Sequence, residues 1–367
     1  MKIFFDYQMF SYQNYGGISR YFYELMCNIN KFQLADFYLS TKYSNNYYLR
    51  NSDFLKPESF LEGHNFRGKV RLLSLVNHIH CIRDLKLVPY DVLHPTYYNP
   101  YFLKYAKGKS FVLTIHDMIH EIYPEYFGRN NKTREYKKVL AEKAVKIIAI
   151  SENTKNDIIR ILGVDESKIV IIPHGCSLME AFDKKMKVDI PERYLLYVGD
   201  RANYKNFNRF LLSIYKTLLD DDSLFLICAG GRPFNSKEIE LIESLGVKGK
   251  VLKYSADNNI LAYLYSNALA FIFPSLYEGF GIPILESMQC GCPTVLSNTS
   301  SLTEVGGDAA VYFDPLDEYS IKNSVEKVIY NEDLRSELIT KGYNNINRFS
   351  WEKTARDTVK VYESCIR

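Results

Sequence analysis

Short runs of β-branched and aromatic residues alternate with longer helical patterns from one end of the chain to the other. This alternation is typical of βα units on parallel sheets, and two successive series can be traced. The strands predicted for the first series are Lys2–Asp6, Leu34–Ser40, Asp91–His94, Phe111–Ile115, Lys146–Ile150 and Ile169–Ile172. Those predicted for the second are Tyr194–Val198, Leu224–Ala229, Val251–Tyr254, Leu269–Phe273, Thr294–Leu296 and Ala310–Phe313. The pattern predicts an α/β fold with two doubly wound parallel sheets.

Helical patterns fill the intervals between strands, and in the second series they cover about 206–219, 236–245, 257–266, 283–290 and 301–305. A polar, lysine-bearing stretch separates the two series. We therefore predict a Rossmann-like domain over 1–182, a linker over 183–191, a second Rossmann-like domain over 192–348, and a C-terminal helix over 349–367 that could pack back on the first domain. Two such domains are expected to face each other across a cleft that holds the ligand.

Composition agrees with two folded domains, because 47% of the residues are hydrophobic and 24% are charged. The seven cysteines are odd in number, and Cys290 and Cys292 lack the C-x-x-C spacing of redox and zinc sites, so we expect reduced thiols. Lys2 precedes too short an apolar stretch for a signal peptide, and no run approaches the ~20 apolar residues of a spanning helix. We expect a cytoplasmic protein, soluble or peripheral at the inner face of the membrane, with no nucleic-acid partner.

The net charge of +3 is unevenly distributed, since residues 1–180 hold 24 Lys and Arg against 18 Asp and Glu. Within this half, Arg67–Lys86 predicts a helix whose apolar stripe consists of Leu72, Leu75, Ile79 and Ile82. Basic residues surround the stripe at Arg67, Lys69, Arg71, Arg83 and Lys86. The stripe could pack on the sheet, which we favour, or lie on an anionic bilayer.

The predicted strand Leu269–Phe273 is followed by a segment with clear signals for the start and end of a helix. Pro283 suits the first residue of a helix and Gly291 suits the left-handed residue that ends it, which puts Glu278 in a loop and Glu286 on the helix. The loop glycines permit close backbone approach, and the helix start presents amides to an anion. A negatively charged, hydroxyl-rich ligand suits such a site.

The sequence E-G-F-G-I-P-I-L-E from Glu278 to Glu286 closely resembles the E-x7-E motif of glycosyltransferase family 4, whose members have the GT-B fold. The resemblance is strong over about 192–315, moderate over 1–30 and 90–175, and nearly absent over 41–88. It implies that Glu278 holds hydroxyls of the donor sugar and Glu286 those of the ribose. The residues that would line the same site are Gly279, Phe280 and Gly281.

The family's phosphate-binding pair is matched by Arg201 and Lys205, which follow the strand Tyr194–Val198. The resemblance implies that these cations stabilise the leaving nucleoside diphosphate in place of Mg²⁺. We accordingly expect no metal and no cofactor. The Asp220-Asp221-Asp222 run contains D-x-D, but turn chemistry explains it better than a metal site.

The first domain contains weaker signals. By resemblance, Gly16 and Gly17 form a loop near the donor phosphates, although a simple helix-start turn fits as well, and Arg20 either assists or faces water. His116 follows a strand where family members place a histidine near the transferred sugar, and a structural role is the alternative. The spacing of His94, His120 and His174 does not predict a metal site.

The resemblance implies a retaining, metal-independent glycosyltransferase. The opening Phe-Asp-Tyr-Gln with Gly-Gly-Ile-Ser-Arg-Tyr is similar to bacterial mannosyltransferases of polysaccharide and O-antigen assembly, so we expect GDP-mannose as donor, with UDP-sugars next. We expect a lipid-linked or oligosaccharide acceptor. A nucleotide-sugar 2-epimerase shares the fold, but the E-x7-E block argues against it. A non-catalytic nucleotide-binding protein is a further alternative, and the presence of Arg201, Lys205, Glu278 and Glu286 argues against that one.

Overall fold

The computed structural model describes residues 1–106, 108–128, 130–178, 188–201 and 203–366. Two compact units make up the chain, Met1–His174 together with Trp351–Arg367, and Gly175–Ser350. The predicted domain boundary at 182 and most of the predicted linker, 183–191, lie outside the described residues. These boundaries therefore stay predictions.

The first unit contains six parallel strands among its described residues. They are β1 (Lys2–Phe5), β2 (Asp36–Leu39), β3 (Val92–His94), β4 (Val112–Ile115), β5 (Lys146–Ala149) and β6 (Ile169–Ile171). Its helices are α1 (Gln8–Tyr12), α2 (Gly17–Lys31), α3 (Tyr47–Arg50), α4 (Lys69–Leu87), α5 (Ile119–Ile122), α6 (Thr133–Lys143) and α7 (Glu152–Leu162). Short 3₁₀ helices cover Pro100–Lys104, Pro124–Tyr126 and Glu166–Lys168.

Strand order in the first unit is β2-β1-β3, followed by β4-β5-β6. Ile3 pairs with Phe37 on one side and with Val92 on the other, and a parallel bridge from Leu93 to Phe111 links the two sets of strands. The chain leaves β1 for β2 on one side and then returns to β3 on the opposite side. The direction of winding therefore reverses between β1 and β3, and such a switch point opens a crevice at the carboxyl ends of the strands.

The second unit contains a six-stranded parallel sheet. Its strands are β7 (Arg193–Val198), β8 (Leu224–Ala229), β9 (Val251–Tyr254), β10 (Ala270–Phe273), β11 (Thr294–Ser297) and β12 (Ala310–Phe313). Its helices are α8 (Phe207–Asp220), α9 (Ser236–Ser244), α10 (Asn258–Asn267), α11 (Ile282–Gln289), α12 (Leu302–Gly306), α13 (Glu318–Ile329) and α14 (Glu332–Asn345), with 3₁₀ turns at Asn203–Lys205 and Ile346–Arg348.

Strand order in the second unit is β12-β11-β10-β7-β8-β9. This is the doubly wound arrangement of dinucleotide-binding domains, and its switch point lies between β7 and β10. The strands are buried on both faces, with Leu195, Leu226 and Ile272 fully inaccessible, because helices cover each side of the sheet. Both predicted sheets are confirmed, and the strand ends differ from prediction by no more than two residues.

The last helix, α15 (Trp351–Ser364), belongs to the first unit and packs against α2. The Tyr362 hydroxyl lies 2.6 Å from Nδ1 of His94, and the Thr354 hydroxyl donates to the Pro173 carbonyl at 2.7 Å. Trp351 packs beside His174, with ring centroids 5.5 Å apart. The C-terminal segment thus completes the core of the first unit.

Helix α4 exposes the stripe that was expected to pack on the sheet. Leu72, Leu75 and Ile79 are 43%, 54% and 62% exposed, whereas Leu73, Asn77, Cys81, Asp84 and Leu85 form the buried face. Asn77 and Asp84 tolerate burial because their polar atoms are hydrogen-bonded: Asn77 Oδ1 accepts from the Lys42 and Tyr43 amides. The packing interpretation of this stripe is wrong.

No helix within the described part of the chain combines the length and apolarity needed to cross a membrane.

Candidate active site

The two strongest sequence motifs meet at the switch point of the second unit. The loop after β7 and the loop after β10 are adjacent because their strands are neighbours, and the Leu276 amide donates to the Tyr204 carbonyl at 2.7 Å. Lys205 Nζ lies 2.6 Å from Glu278 Oε1. The sheet topology therefore joins a cation and a carboxylate that are 73 residues apart in the sequence.

Lys205 is held as a cation in a partly enclosed position. Its side chain is 19% exposed, and its ammonium lies 5.2 Å from the ring centroid of Tyr204 and 5.4 Å from that of Phe273. Burial acts to lower the pKa of Lys205, but the Glu278 carboxylate, together with Tyr204 and Asp200, outweighs burial and raises it. A charged ammonium at this position can receive the negative charge of a leaving phosphate.

Two serines after β11 fix the loop that carries Glu278. The Glu278 amide donates to Ser300 Oγ at 3.0 Å, and the Ser301 hydroxyl contacts the carbonyls of Glu278 and Phe280 at 2.9 and 3.0 Å. Ser300 has a φ of 51°, a left-handed conformation that is uncommon for a residue with a side chain. Such outliers persist where surrounding contacts hold them, and they cluster at binding sites.

The predicted helix ends of the motif are confirmed to within one residue, since α11 runs from Ile282 to Gln289. Gly281 has a φ of 103°, and a Cβ there would lie 2.9 Å from Ile284 Cδ1, so glycine is required. Helix α11 begins at the next residue with Pro283 in its first turn, and Gly291 ends it with a φ of 69°. Glu278 thus lies in the loop, next to Gly279, and Glu286 lies on the helix.

Glu286 is buried on α11, with 4% of its surface exposed. Phe280, at the end of the loop, is also buried and packs edge-on against Phe349, with ring centroids 5.7 Å apart. The backbone of the motif is therefore fixed by its own packing. A ligand would meet a loop whose geometry is already set.

Arg201 is placed differently from Lys205. Its Nε lies 3.1 Å from Glu238 Oε1, its Nη2 donates to the Arg232 carbonyl at 2.5 Å, and Phe234 packs on its guanidinium at 4.6 Å. Its Nη1 is buried and has no hydrogen-bond partner among the described residues. The structure brings Lys205 and Glu278 together but engages Arg201 with Glu238, and a phosphate contact by Arg201 stays a prediction.

His116 lies in the first unit, where β4 ends. It is 7% exposed, its amide donates to the Tyr98 hydroxyl at 3.1 Å, and its Nε2 has no hydrogen-bond partner within the described ranges. Burial lowers the pKa of His116 to about 4, against the opposing effect of Asp117, so the imidazole is neutral at pH 7. A neutral imidazole can accept or donate one hydrogen bond at a sugar hydroxyl.

A buried lysine supports the His116 loop. Lys137 is inaccessible to solvent, and its ammonium donates to the Asp117 carbonyl at 2.8 Å and to Glu121 Oε2 at 2.9 Å. The same ammonium lies 5.1 Å from the ring centroid of Tyr98, whose hydroxyl accepts the His116 amide proton. One cation thus holds the loop from both sides.

Gly16 and Gly17 open α2, as predicted. Gln13 Oε1 accepts from the Ser19 amide at 3.2 Å and occupies the space where a Cβ on Gly16 would lie, 2.5 Å away. This arrangement fits the helix-start alternative, and the phosphate role stays a prediction. Arg20 is 6% exposed and lies 4.0 Å from Glu24, so its water-facing alternative is wrong.

The remaining candidates are structural. Both ring nitrogens of His94 are engaged, by Tyr362 and by Thr114 at 2.9 Å, and His120 stacks on Phe127. The Asp220–Asp222 run forms a turn, because Asp221 Oδ1 accepts from the Ser223 amide at 3.0 Å. The turn interpretation of that run is confirmed.

Comparisons with known proteins identify the family of this chain. The family model described as Glycosyltransferase Family 4 matches residues 15–179, and the one described as Glycosyl transferases group 1 matches 179–345. The O-antigen chain mannosyltransferase B of Escherichia coli is 32% identical over 309 residues, which cover 80% of this chain and 78% of that protein. The chain belongs to glycosyltransferase family 4. It is a glycosyltransferase of the O-antigen mannosyltransferase type, which implies a nucleotide-sugar donor and a glycan acceptor.

Two further similarities extend the family assignment. The N-acetylgalactosamine-N,N'-diacetylbacillosaminyl-diphospho-undecaprenol 4-alpha-N-acetylgalactosaminyltransferase of Campylobacter jejuni is 26% identical over 60% of this chain and 61% of its own. Among solved structures, the sucrose-phosphate synthase of Thermosynechococcus elongatus matches with a TM-score of 0.78 at 18% identity, over 99% of this chain and 98% of that one. The predicted GT-B fold, with two α/β domains, is confirmed.

Sequence reasoning missed three residues that contact members of this candidate site. Ser300 and Ser301 hold the Glu278 loop, and Glu238 engages Arg201. The serines follow β11, so their position at the carboxyl end of the strand next to β10 was an available signal. Glu238 lies on α9 and forms a capping box with Asn235. This ordinary role at a helix start accounts for Glu238 in the sequence and gives no sign of its contact with Arg201.

Proposed function

We propose that this family 4 enzyme transfers mannose from GDP-mannose, with retention of configuration and without a metal ion, to a lipid-linked or oligosaccharide acceptor in cell-surface polysaccharide synthesis. The observation that carries the proposal is the 2.6 Å pair of Lys205 and Glu278 at the switch point of the second unit. The mannosyltransferase name of the E. coli relative supports mannose, and the name of the C. jejuni relative supports an acceptor on diphospho-undecaprenol.

The residues suit a front-face substitution. The bond between C1 of mannose and the β-phosphate oxygen breaks, the bond between C1 and the acceptor oxygen forms on the same face, and the acceptor proton passes to the departing phosphate. GDP leaves with growing negative charge, which Lys205 would stabilise in the role that Mg²⁺ has elsewhere. Glu278 would accept hydrogen bonds from mannose hydroxyls and Glu286 from the ribose.

A thermal-shift screen tests the donor. A ligand that binds only the folded state raises the melting temperature by mass action, so GDP-mannose and GDP should raise it more than UDP- or ADP-sugars at equal concentration. A larger shift with a UDP-sugar would replace the proposed donor. Formation of an epimerised nucleotide sugar without any acceptor would replace transfer with epimerisation.

Turnover after treatment with EDTA tests the metal-free mechanism. We expect the rate to be unchanged, because Lys205 supplies the positive charge at the leaving group. The anomeric configuration of the product, read by NMR, should match that of GDP-mannose. Strict dependence on Mg²⁺ or Mn²⁺, or an inverted product, would contradict the mechanism.

We further propose peripheral attachment at the inner face of the cytoplasmic membrane through the exposed stripe of α4. Between His64 and Tyr90 there are five Lys and Arg and one acid, Asp84, which is buried and hydrogen-bonded to Tyr38 and Ser40. The exposed Leu72, Leu75 and Ile79 are thus surrounded by positive charge, which suits an anionic interface.

Vesicle flotation tests the membrane contact. At low salt, vesicles with phosphatidylglycerol should recruit the protein, vesicles of phosphatidylcholine alone should not, and Leu75→Gln with Ile79→Gln should abolish recruitment. Leu219→Gln with Ile239→Gln, two exposed apolar residues in the second unit, is the matched control. Failure of the wild type to bind anionic vesicles removes this part of the proposal.

A further inference from the structure

A large open cavity lies in the first unit, in the segment with the least resemblance to the family. Its volume is about 1420 Å³, and its walls come from the chain before Gly16, from α3 and its flanks, and from residues 62–73. Pockets that take one small molecule measure roughly 300–1,000 Å³. This cavity therefore has room for a ligand larger than a single sugar.

The charge on the walls is strongly positive. The cavity is lined by four cations, Arg50, Arg67, Lys69 and Arg71, and by one carboxylate, Glu62. Glu62 forms an ion pair with Arg50, and no carboxylate of the described residues lies in ion-pair contact with the other three cations. Lys69 also donates to the Leu61 carbonyl at 2.9 Å. Arginine binds phosphate oxygens through two parallel N–H groups, so Arg67 and Arg71 favour a phosphate-bearing ligand.

The other wall residues suit a sugar. Tyr15, Tyr47 and Phe66 are 53%, 41% and 46% exposed, and such aromatic faces can pack against a sugar ring. Four asparagines also line the cavity, namely Asn14, Asn45, Asn51 and Asn65. The side chains of Asn14 and Asn65 can offer amide donors and acceptors to hydroxyl groups, whereas Asn45 and Asn51 already bond the backbone. The walls thus combine groups for an anion with groups for a glycan.

One side of the cavity, formed by α3 and its flanks, is held in place by hydrogen bonds. The Tyr47 amide donates to the Asn14 carbonyl at 2.8 Å, and Asn46 Nδ2 donates to the Gln13 carbonyl at 2.7 Å, which tie α3 to the chain before α2. Asn45 exchanges two 3.1 Å hydrogen bonds with the backbone of Phe60. A preformed site loses little entropy on binding.

Helix α4 connects the cavity to the exposed apolar stripe. Lys69, Val70 and Arg71 line the cavity at its start, and the stripe continues to Ile79, about 12 Å further along the helix at 1.5 Å per residue. A ligand that carries a glycan, a phosphate and a lipid in series would contact the aromatic residues of the cavity, then its cations, and then the apolar stripe.

We infer that this cavity binds the sugar-diphosphate head of a polyprenyl-linked acceptor. The inference rests on the lipid-linked acceptor of the proposed function and assigns it a site. Arg67 and Arg71 bind the diphosphate, Tyr15 and Tyr47 pack against the attached glycan, and the α4 stripe receives the lipid.

Calorimetric titration of the whole chain with farnesyl diphosphate tests the site. Saturating GDP is present, so that the diphosphate site of the donor is filled. We expect Arg67→Gln with Arg71→Gln to weaken binding at least tenfold, and Arg134→Gln with Lys138→Gln, two exposed cations on α6, to change it less than twofold. Inorganic diphosphate and farnesol should each bind at least tenfold more weakly than farnesyl diphosphate.

Three results would overturn the inference. Equal weakening by the control variant would mean that net charge alone attracts the ligand. Equal affinity for inorganic diphosphate would mean an adventitious ion only, and loss of binding in the presence of GDP would place the ligand in the donor site. GDP affinity is also measured in every variant. A protein that binds no GDP would contradict the proposed donor. The titration with farnesyl diphosphate would still test the cavity separately.

Discussion

The two switch points of the molecule are built from similar topology but opposite chemistry. In the second unit, Lys205 and Glu278 form a charged pair that stays 19% and 14% exposed. In the first unit, the carboxylate of Asp6 is inaccessible and accepts hydrogen bonds from the Thr96 amide at 2.8 Å, the Thr96 hydroxyl at 2.7 Å and Gln8 Nε2 at 2.7 Å. Burial raises the pKa of Asp6.

This difference indicates that the second switch point can bind a ligand, whereas the first has a structural role. Asp6 uses its oxygens to tie the end of β1 to the residues after β3, and it leaves nothing for a ligand. The Lys205–Glu278 pair faces solvent on one side, so both groups can exchange their mutual contact for a donor. The topology creates a crevice in each unit, and the side chains that line each crevice determine whether it can bind the donor.

The largest effect is expected from Glu278→Gln. Loss of the carboxylate removes the partner of Lys205 and the proposed acceptor for sugar hydroxyls, so turnover should fall by at least about 100-fold. Glu243→Gln is the matched control, because Glu243 pairs with Lys248 at 2.7 Å on the surface. Initial rates with GDP-mannose measure the change, and equal rates for the two variants would remove Glu278 from the site.

Asp6→Asn should reduce stability more than catalysis. The new amide nitrogen would face two donors, Gln8 Nε2 and the Tyr101 hydroxyl, and both would lose their bond to the carboxylate, which costs about 2 kcal/mol of unfolding free energy. Urea unfolding measures the loss, and Asp91→Asn, at an exposed position, is the control. If the variant has normal stability but no turnover, Asp6 at the first switch point takes part in catalysis instead.

Lys205→Ala should slow turnover at least tenfold, about 1.4 kcal/mol in the barrier. The leaving diphosphate would lose its nearest cation, whereas the fold should persist because Lys205 is partly exposed. Lys216→Ala, on α8, is the control. A normal rate for Lys205→Ala at saturating donor would show that another group stabilises the leaving phosphate.

The smallest effect for a single residue is a pH dependence of stability confined to the first unit, which contains all seven histidines. Burial lowers the pKa of His94 to about 3, of His116 to about 4 and of His174 well below 6.5. The unfolded chain therefore takes up protons that the folded chain does not as the pH falls below about 6.5, and stability is lost. At pH 6 we expect a loss of about 1 kcal/mol for each of these histidines.

Hydrogen exchange at pH 7.5 and 6.0, corrected for intrinsic rates, locates this effect. Peptides of the first unit should lose protection at the lower pH, while those of Gly175–Ser350, which contains no histidine, should keep theirs. Equal loss in both units would mean that the buried histidines are not its source.

The sequence predicted the features that depend on local pattern. Strand periodicity placed the loops of Lys205 and Glu278, and Pro283 with Gly291 fixed the ends of α11. The pairing of Arg201 with Glu238 was beyond reach because it depends on how the loop after β8 folds. The buried face of α4 was predicted wrongly because it contains the polar residues Asn77 and Asp84. Only tertiary hydrogen bonds offset the cost of burying them.

A crystal structure with GDP bound tests the central claim most directly. The account predicts that the diphosphate lies within hydrogen-bond distance of Lys205 Nζ, between the loops after β7 and β10, with the ribose hydroxyls at Glu286. A nucleotide bound at Asp6 and Thr96, or anywhere that leaves the Lys205–Glu278 contact intact, would contradict it.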